Sequence, residues 1–121
     1  MQFQITGDFI DKTAEKYGSN YVGAYAYSQT ISLMKTYVLL ANNEEIIAVT
    51  LGMSGEAKDD IHYNYTQLDS FVLKDGILAD KVIIKPTDGK KIEFTIPKNA
   101  AGISAYQGKL IELLKLKSKA K

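Results

Sequence analysis

The sequence predicts a mainly β protein of the α+β class: a seven-stranded antiparallel barrel or sandwich with a short N-terminal helix and a C-terminal capping helix. Its 121 residues match the length of one domain. Apolar side chains alternate with polar or small ones in several short runs between residues 21 and 96, as they do in strands. Helical spacing occurs before and after that stretch. Short strands without intervening helices favour an antiparallel sheet that curls into a barrel or sandwich.

Residues 8–17 predict a short amphipathic helix. Asp8 is the expected N-cap, Asp11 completes a capping box, and Gly18 takes the position after the helix end. A helix this short is marginal by itself in water, so we expect it to dock on the rest of the chain. The chain then divides into three segments: an N-terminal helical extension (1–18), the main domain (19–117) and a frayed basic tail (118–121).

Seven strands are predicted between the two helices, at residues 21–28, 36–41, 46–51, 61–65, 70–73, 81–85 and 91–96. Two of the connections carry hairpin signals. Asn42 begins a polar turn after the second strand, and the Asp88-Gly89 dipeptide is typical of a tight turn between the last two strands. The strands on either side of these turns are therefore expected to pair antiparallel.

Helical spacing returns after Pro97. The apolar stripe of this helix consists of Ile103, Tyr106, Leu110, Leu113 and Leu114. Ser104 followed by Gln107 resembles a capping box, while Asn99 offers an earlier start. Because the helix has one apolar stripe, we expect it to close an open end or corner of the barrel.

Two stretches of the sequence resemble the bacterial pleckstrin-homology-like (PH-like) domains. Residues 37–49 are similar to a hairpin of that family, in which an apolar strand, a Thr-Asn-Lys-Arg turn and an Ile-Ile strand follow one another. Residues 76–98 match the later strands in pattern. The resemblance covers residues 20–116, and it implies seven strands followed by one capping helix.

The sequence departs from the family at the turn of that first hairpin. Ala41-Asn42-Asn43-Glu44 stands where the family has Thr-Asn-Lys-Arg, so neutral and acidic residues replace two basic ones. Residues 20–41 contain one lysine, Lys35, whereas phosphoinositide-binding PH domains carry a basic first hairpin. Phosphoinositide binding at this hairpin is therefore not expected.

The charges are distributed unevenly along the chain. Residues 1–80 hold 5 lysines and 11 carboxylates, whereas residues 81–121 hold 10 lysines and 3 carboxylates. The candidate anion contacts are Lys81, Lys90, Lys91, Lys115 and Lys117. They could form a footprint for an anionic lipid surface or an acidic partner, or they could be solvated lysines that complement a helix C-terminus. No nucleic-acid partner is expected, because the chain has no arginine for forked phosphate and base contacts.

Tyrosines form two stripes in the predicted strands. The candidate interface residues are Tyr21, Tyr25 and Tyr27 in the first strand and Tyr63 and Tyr65 in the fourth. Tyrosine is enriched at protein interfaces, so the stripes could be an exposed patch for a partner. They could equally line the barrel interior and place their hydroxyls at its rim.

No catalytic or metal-binding pattern emerges from the sequence. The chain has no cysteine, and its single histidine, His62, alternates with Asp60 and Asn64 in a way that is more typical of an ordinary strand surface than of a metal site. Glu56 stands where a nucleophile elbow built on Ser54 needs glycine, and no phosphate-binding glycine loop is present. We therefore predict no enzymatic activity, no metal and no cofactor.

The leading hypothesis is a non-catalytic PH-like scaffold that binds a protein partner or a second copy of itself. The alternative is peripheral attachment to anionic membrane lipid through the lysine-rich C-terminal half. The first residues lack the basic start and apolar run of a secretory signal, so a cytoplasmic location is predicted.

Overall fold

The structure, a computed structural model, describes residues 5–29, 34–52, 55–87 and 89–118. Its elements in chain order are α1 (Gly7–Glu15), β1 (Val22–Gln29), β2 (Met34–Ala41), β3 (Glu45–Leu51), β4 (Ala57–Asn64), β5 (Leu68–Lys74), β6 (Ala79–Pro86), β7 (Ile92–Pro97) and α2 (Ser104–Lys117). A 3₁₀ turn, Tyr65–Gln67, joins β4 to β5. The predicted fold class, seven antiparallel strands flanked by two helices, is confirmed.

The strands form one open sheet in the order β4-β3-β2-β1-β7-β6-β5. Each consecutive pair within the first four strands and within the last three is an antiparallel hairpin. The two halves join between β1 and β7, which are in register at one position, Tyr27 opposite Thr95. The sheet therefore folds over at this junction, as in a PH-like sandwich, and β4 and β5 are its two edge strands.

The inner core lies between the two halves of the sheet. Ala24 and Ala26 are completely buried on the inner face of β1, and their small side chains leave room for Leu110 and Leu114 of α2. Across this core, the rings of Tyr37 and Phe94 meet edge to face at 4.9 Å. Helix α2 thus fills the corner where β1 and β7 diverge.

A second core lies on the outer face of β2 and β3, under helix α1. Ile10 of α1 is 1% exposed and belongs to the same buried cluster as Val38, Leu40 and Ile47. A Cβ atom added at Gly23 would lie 2.7 Å from Ile10 Cγ2 and 2.9 Å from Leu40 Cδ2, so a glycine is needed for the helix to approach this closely. Burial on both faces explains why β2 and β3 are almost continuously apolar in sequence.

The predicted helix caps are wrong in both helices. The N-cap of α1 is Thr6, whose side chain accepts a hydrogen bond from the Phe9 amide at 3.1 Å, and Asp8 instead lies in the first turn. Helix α2 begins after Ile103 without a side-chain cap, because the Ser104 hydroxyl bonds to the backbone of Ala100. In both helices the second residue of the predicted capping box makes a tertiary hydrogen bond instead. Asp11 accepts from the Tyr106 hydroxyl, and Gln107 bonds to the strands.

Candidate functional site

Gln107 closes the sheet at the point where β1 leaves β7. Its side chain is completely buried. Its Oε1 accepts from the Tyr25 amide at 2.8 Å, while Nε2 donates to the Tyr25 carbonyl at 2.8 Å and to the Pro97 carbonyl at 2.9 Å. The amide and carbonyl of Tyr25, which do not pair with β7, are therefore bonded inside the molecule. This part of the sheet is not a free edge for a partner.

The structure separates the tyrosines of the first stripe from the barrel interior. Tyr21 and Tyr25 pack against the outer core, next to the helices, and Tyr27 is half-buried beside them. The Tyr21 hydroxyl donates to Glu45 at 2.8 Å, and the rings of Tyr25 and Tyr27 lie 6.2 Å apart. Burial raises the pKa of Tyr25. The half-exposed Tyr25 and Tyr27 retain surface that a partner could contact.

The two tyrosines of the second stripe lie at the inner core. Tyr63 is 7% exposed and faces inward from β4. Tyr65 lies in the 3₁₀ turn, where its ring meets Phe71 edge to face at 5.3 Å and carries the Lys117 ammonium 5.6 Å above it. Burial raises the pKa of Tyr65 well above its ordinary value. Both side chains stabilise the join between β4 and β5.

A network of polar side chains ties the end of α1 to β4 on the outer face. The Tyr17 hydroxyl donates to Asp60 at 2.6 Å, and His62 lies between two carboxylates, with Nδ1 3.0 Å from Glu45 and Nε2 3.3 Å from Asp60. Burial and the Asp60 carboxylate raise the pKa of Tyr17 to about 12. Asn64 does not join the network, since its side chain caps the 3₁₀ turn.

The side chains of this network are not grouped as metal ligands. In the part of the chain that the structure describes, no three or more histidine, aspartate or glutamate side chains are grouped so that they could hold a metal ion. Both ring nitrogens of His62 contact carboxylates of its own chain, and the side chain is 47% exposed. His62 therefore braces β4 against β3 at this position.

Strand β4 presents the longest open edge of the sheet. It pairs with β3 along one side, from Asn64 opposite Glu45 to Ala57 opposite Leu51. Seven of its eight residues are exposed, and Ile61 is 48% exposed on the face that continues the inner core. Among the described strands, none pairs with its other side. An edge of this kind can accept an added strand.

The loop between β5 and β6 carries two exposed aliphatic side chains at its tip. Ile77 is 94% exposed and Leu78 is 78% exposed. The loop itself is held firmly: buried Asp80 accepts from the Gly76 amide at 3.1 Å, and the Lys98 amide donates to the Leu78 carbonyl at 3.0 Å. A Cβ atom added at Gly76 would collide with the carbonyl oxygen of Ala79, so this turn requires glycine.

Lys98 forms ion pairs with two carboxylates at the base of this loop. Its ammonium lies 3.0 Å from Asp75 and 3.4 Å from Asp80. The hydrogen bond and the charge of Lys98 lower the pKa of Asp75, and the same contact raises the pKa of Lys98. Sequence reasoning missed this clamp, although Asp75-Gly76 followed by two aliphatic residues is an unusual hairpin loop, since such loops are ordinarily polar.

The five predicted anion-contacting lysines lie at several places. Lys81 is next to the β5–β6 tip, whereas Lys90 and Lys91 follow the far end of β6, where Lys90 borders an open cleft of about 790 Å³ beside His62 and Thr87. Lys115 lies in the last turn of α2, close enough to lower the pKa of Asp75. Lys117 lies over the ring of Tyr65. The structure thus places Lys81 and Lys115 near the tip and leaves the other three elsewhere.

The comparison with protein families agrees with this fold. A family model described as a bacterial PH domain matches residues 19–105, which span β1 to the start of α2. The chain belongs to the bacterial PH domain family, as the resemblance in the sequence implied. Helix α1 lies outside the matched residues. A comparison with curated proteins found no match.

Neither helix in the described part of the chain combines the length and the apolar content that crossing a membrane requires. The cytoplasmic location stays a prediction.

Proposed function

We propose that the chain is a non-catalytic binding module that recruits a protein partner through the open edge of β4, and that a second copy of the chain fits this edge. Membership of the PH family supports a binding role. The single observation that carries the proposal is the exposure of seven of the eight residues of β4, including the apolar Ile61.

The backbone of β4 supplies the main attraction for an added strand. Eight residues of extended chain span roughly 26 Å at about 3.3 Å per residue. On the side away from β3, no strand in the described part of the chain pairs with the outward amide and carbonyl groups of β4. A partner strand that pairs along this length replaces water with backbone hydrogen bonds, and side chains on alternate positions set its register.

The side chains of β4 are complementary to a second copy in one antiparallel register. Residues at equal distances from the centre of a two-fold antiparallel pair lie opposite each other and share a face. A pair centred on Ile61 brings the two exposed Ile61 side chains together and places no two carboxylates of β4 opposite each other. Asp59 and Asp60 disfavour registers in which two carboxylates face each other, and the charged side chains of β4 shield the edge from unrelated strands.

Replacing Ile61 with lysine is expected to weaken self-association at least ~tenfold, because two ammonium groups would then face each other at the centre of the pair. Sedimentation velocity over a range of concentrations measures this. We expect the mass of the parent chain to rise from one copy to two, while Ile61→Lys stays at one. Leu116→Lys, a matched change at an exposed position on α2, should leave the dimer intact. A parent chain that stays monomeric at every concentration contradicts self-association through β4.

A second candidate function is attachment to an anionic membrane surface through the lysine-rich C-terminal half. The observation that favours it is the excess of 10 lysines over 3 carboxylates in residues 81–121. Co-sedimentation with phosphatidylcholine vesicles, with and without phosphatidylglycerol, tests it. Binding should increase with the anionic lipid and decrease as salt is added. Equal binding to both kinds of vesicle would remove this candidate.

A further inference from the structure

We infer that contact with an anionic membrane is made by the β5–β6 tip: Ile77 and Leu78 enter the interfacial region, and Lys74, Lys81 and Lys115 bind the headgroups. This inference rests on the second candidate function and deepens it, because it assigns the contact to one end of the molecule. The cleft beside His62 and the lysines that lie elsewhere are not part of this contact.

The apolar part of the tip is both exposed and rigid. Ile77 and Leu78 are adjacent in the sequence, and their side chains are 94% and 78% exposed. Their loop is fixed by Asp80 bonding to the Gly76 amide and by the Lys98 amide bonding to the Leu78 carbonyl. A hydrogen-bonded loop therefore fixes two aliphatic side chains in contact with solvent. The packing of the fold does not require apolar residues at these exposed positions.

The charge around the tip is positive. Lys74 and Lys81 are opposite each other in the last register pair of the β5–β6 hairpin, although like charges in such a pair repel. The Lys115 ammonium acts on Asp75 from the last turn of α2, and that helix end is tied to β5 by the Ser118 hydroxyl, which accepts from the Leu73 amide at 2.8 Å. The nearby carboxylates, Asp75 and Asp80, are already paired with Lys98. A bound phosphate group would relieve the repulsion between the lysines.

The size and shape of the tip favour a lipid surface over a protein. A stable protein interface buries about 800 Å² on each partner, which a loop tip with two aliphatic side chains does not provide. A bilayer interface accepts a few inserted apolar side chains, and each nearby lysine adds attraction to anionic lipid. The lysine stems also lie along apolar surface while their ammonium groups stay with the headgroups.

The chain has no tryptophan, so a single introduced tryptophan reports on the surroundings of the tip. We expect the emission of Ile77→Trp to shift to the blue when vesicles of phosphatidylcholine and phosphatidylglycerol are added. Tryptophan at another exposed position, Met34→Trp, should show no shift.

The double variant Ile77→Ser/Leu78→Ser should lose at least ~tenfold in vesicle affinity. The double variant Lys74→Gln/Lys81→Gln should bind vesicles more weakly, and its binding should depend less on salt than that of the parent chain. Thermal melting confirms that these exposed changes leave the fold intact.

The outcomes distinguish this inference from the function on which it rests. If the parent chain fails to bind anionic vesicles at low salt, both are wrong. If it binds, but the serine variant binds equally well and Ile77→Trp does not shift, the membrane function stands and the tip assignment is wrong. A blue shift of Ile77→Trp that follows protein concentration without vesicles would show that a second copy covers the tip, and it would overturn the inference.

Discussion

Gln107→Leu is expected to lower the free energy of unfolding by about 3 kcal/mol or more. Leucine fits the buried site but leaves three backbone groups without their partners: the amide and carbonyl of Tyr25 and the carbonyl of Pro97. A buried polar group left unpaired costs about 1–3 kcal/mol, and relaxation of the helix recovers part of the sum. Urea unfolding followed by circular dichroism measures the change.

Lys109→Leu is the matched control for this prediction. It introduces the same side chain two residues further along α2, at an exposed position, and should change stability by less than about 0.5 kcal/mol. If Gln107→Leu were as stable as the parent chain, the hydrogen bonds of Gln107 to Tyr25 and Pro97 would not be what holds β1 and β7 together.

Ile10→Ala is expected to cost about 2–5 kcal/mol, the range for large-to-small changes in a packed core. Ile10 is 1% exposed, and it fills the space between α1 and the outer face of β2 and β3. An alanine there leaves a cavity over Val38, Leu40 and Ile47, and it removes the one apolar side chain of α1 that is fully buried, from a helix too short to be stable without packing. We therefore expect α1 to detach before the sheet unfolds, so limited proteolysis should cut the N-terminal segment faster.

Lys12→Ala tests whether this effect depends on the buried face of the helix. Lys12 lies on the exposed side, where it forms a surface pair with Asp8, and its loss should be nearly neutral. Equal proteolysis rates for Ile10→Ala and the parent chain would show that α1 does not depend on the outer core.

Much of the fold could be predicted from the sequence, because the alternation of side chains in each strand is a local property. The strands around Lys81 and Phe94 alternate in sequence and alternate in burial. The helix boundaries were predicted within a few residues, whereas the caps were not. Whether a side chain caps a helix depends on which group it hydrogen-bonds in the folded protein. Asp11 and Gln107 form hydrogen bonds with residues more than 80 positions away in the sequence.

The binding surfaces were harder to predict for the same physical reason. Alternation places Tyr21, Tyr25 and Tyr27 on one face of the predicted first strand, but it does not say which face the sheet turns inward. Gly23, between them, carries the missing signal, since a glycine inside a strand marks the close approach of another element. The exposed tip at Ile77 and Leu78 could not be separated from a short strand, because two aliphatic residues after a turn are equally typical of both.

Hydrogen exchange along β4, measured at several protein concentrations, tests the central proposal most directly. We expect outward amides of Ala57–Asn64 to exchange rapidly in dilute solution and to become protected as the concentration rises, while amides of the buried β2 stay protected throughout. Exchange along β4 that is equally fast at all concentrations, including those at which two copies are associated, would contradict pairing through this edge.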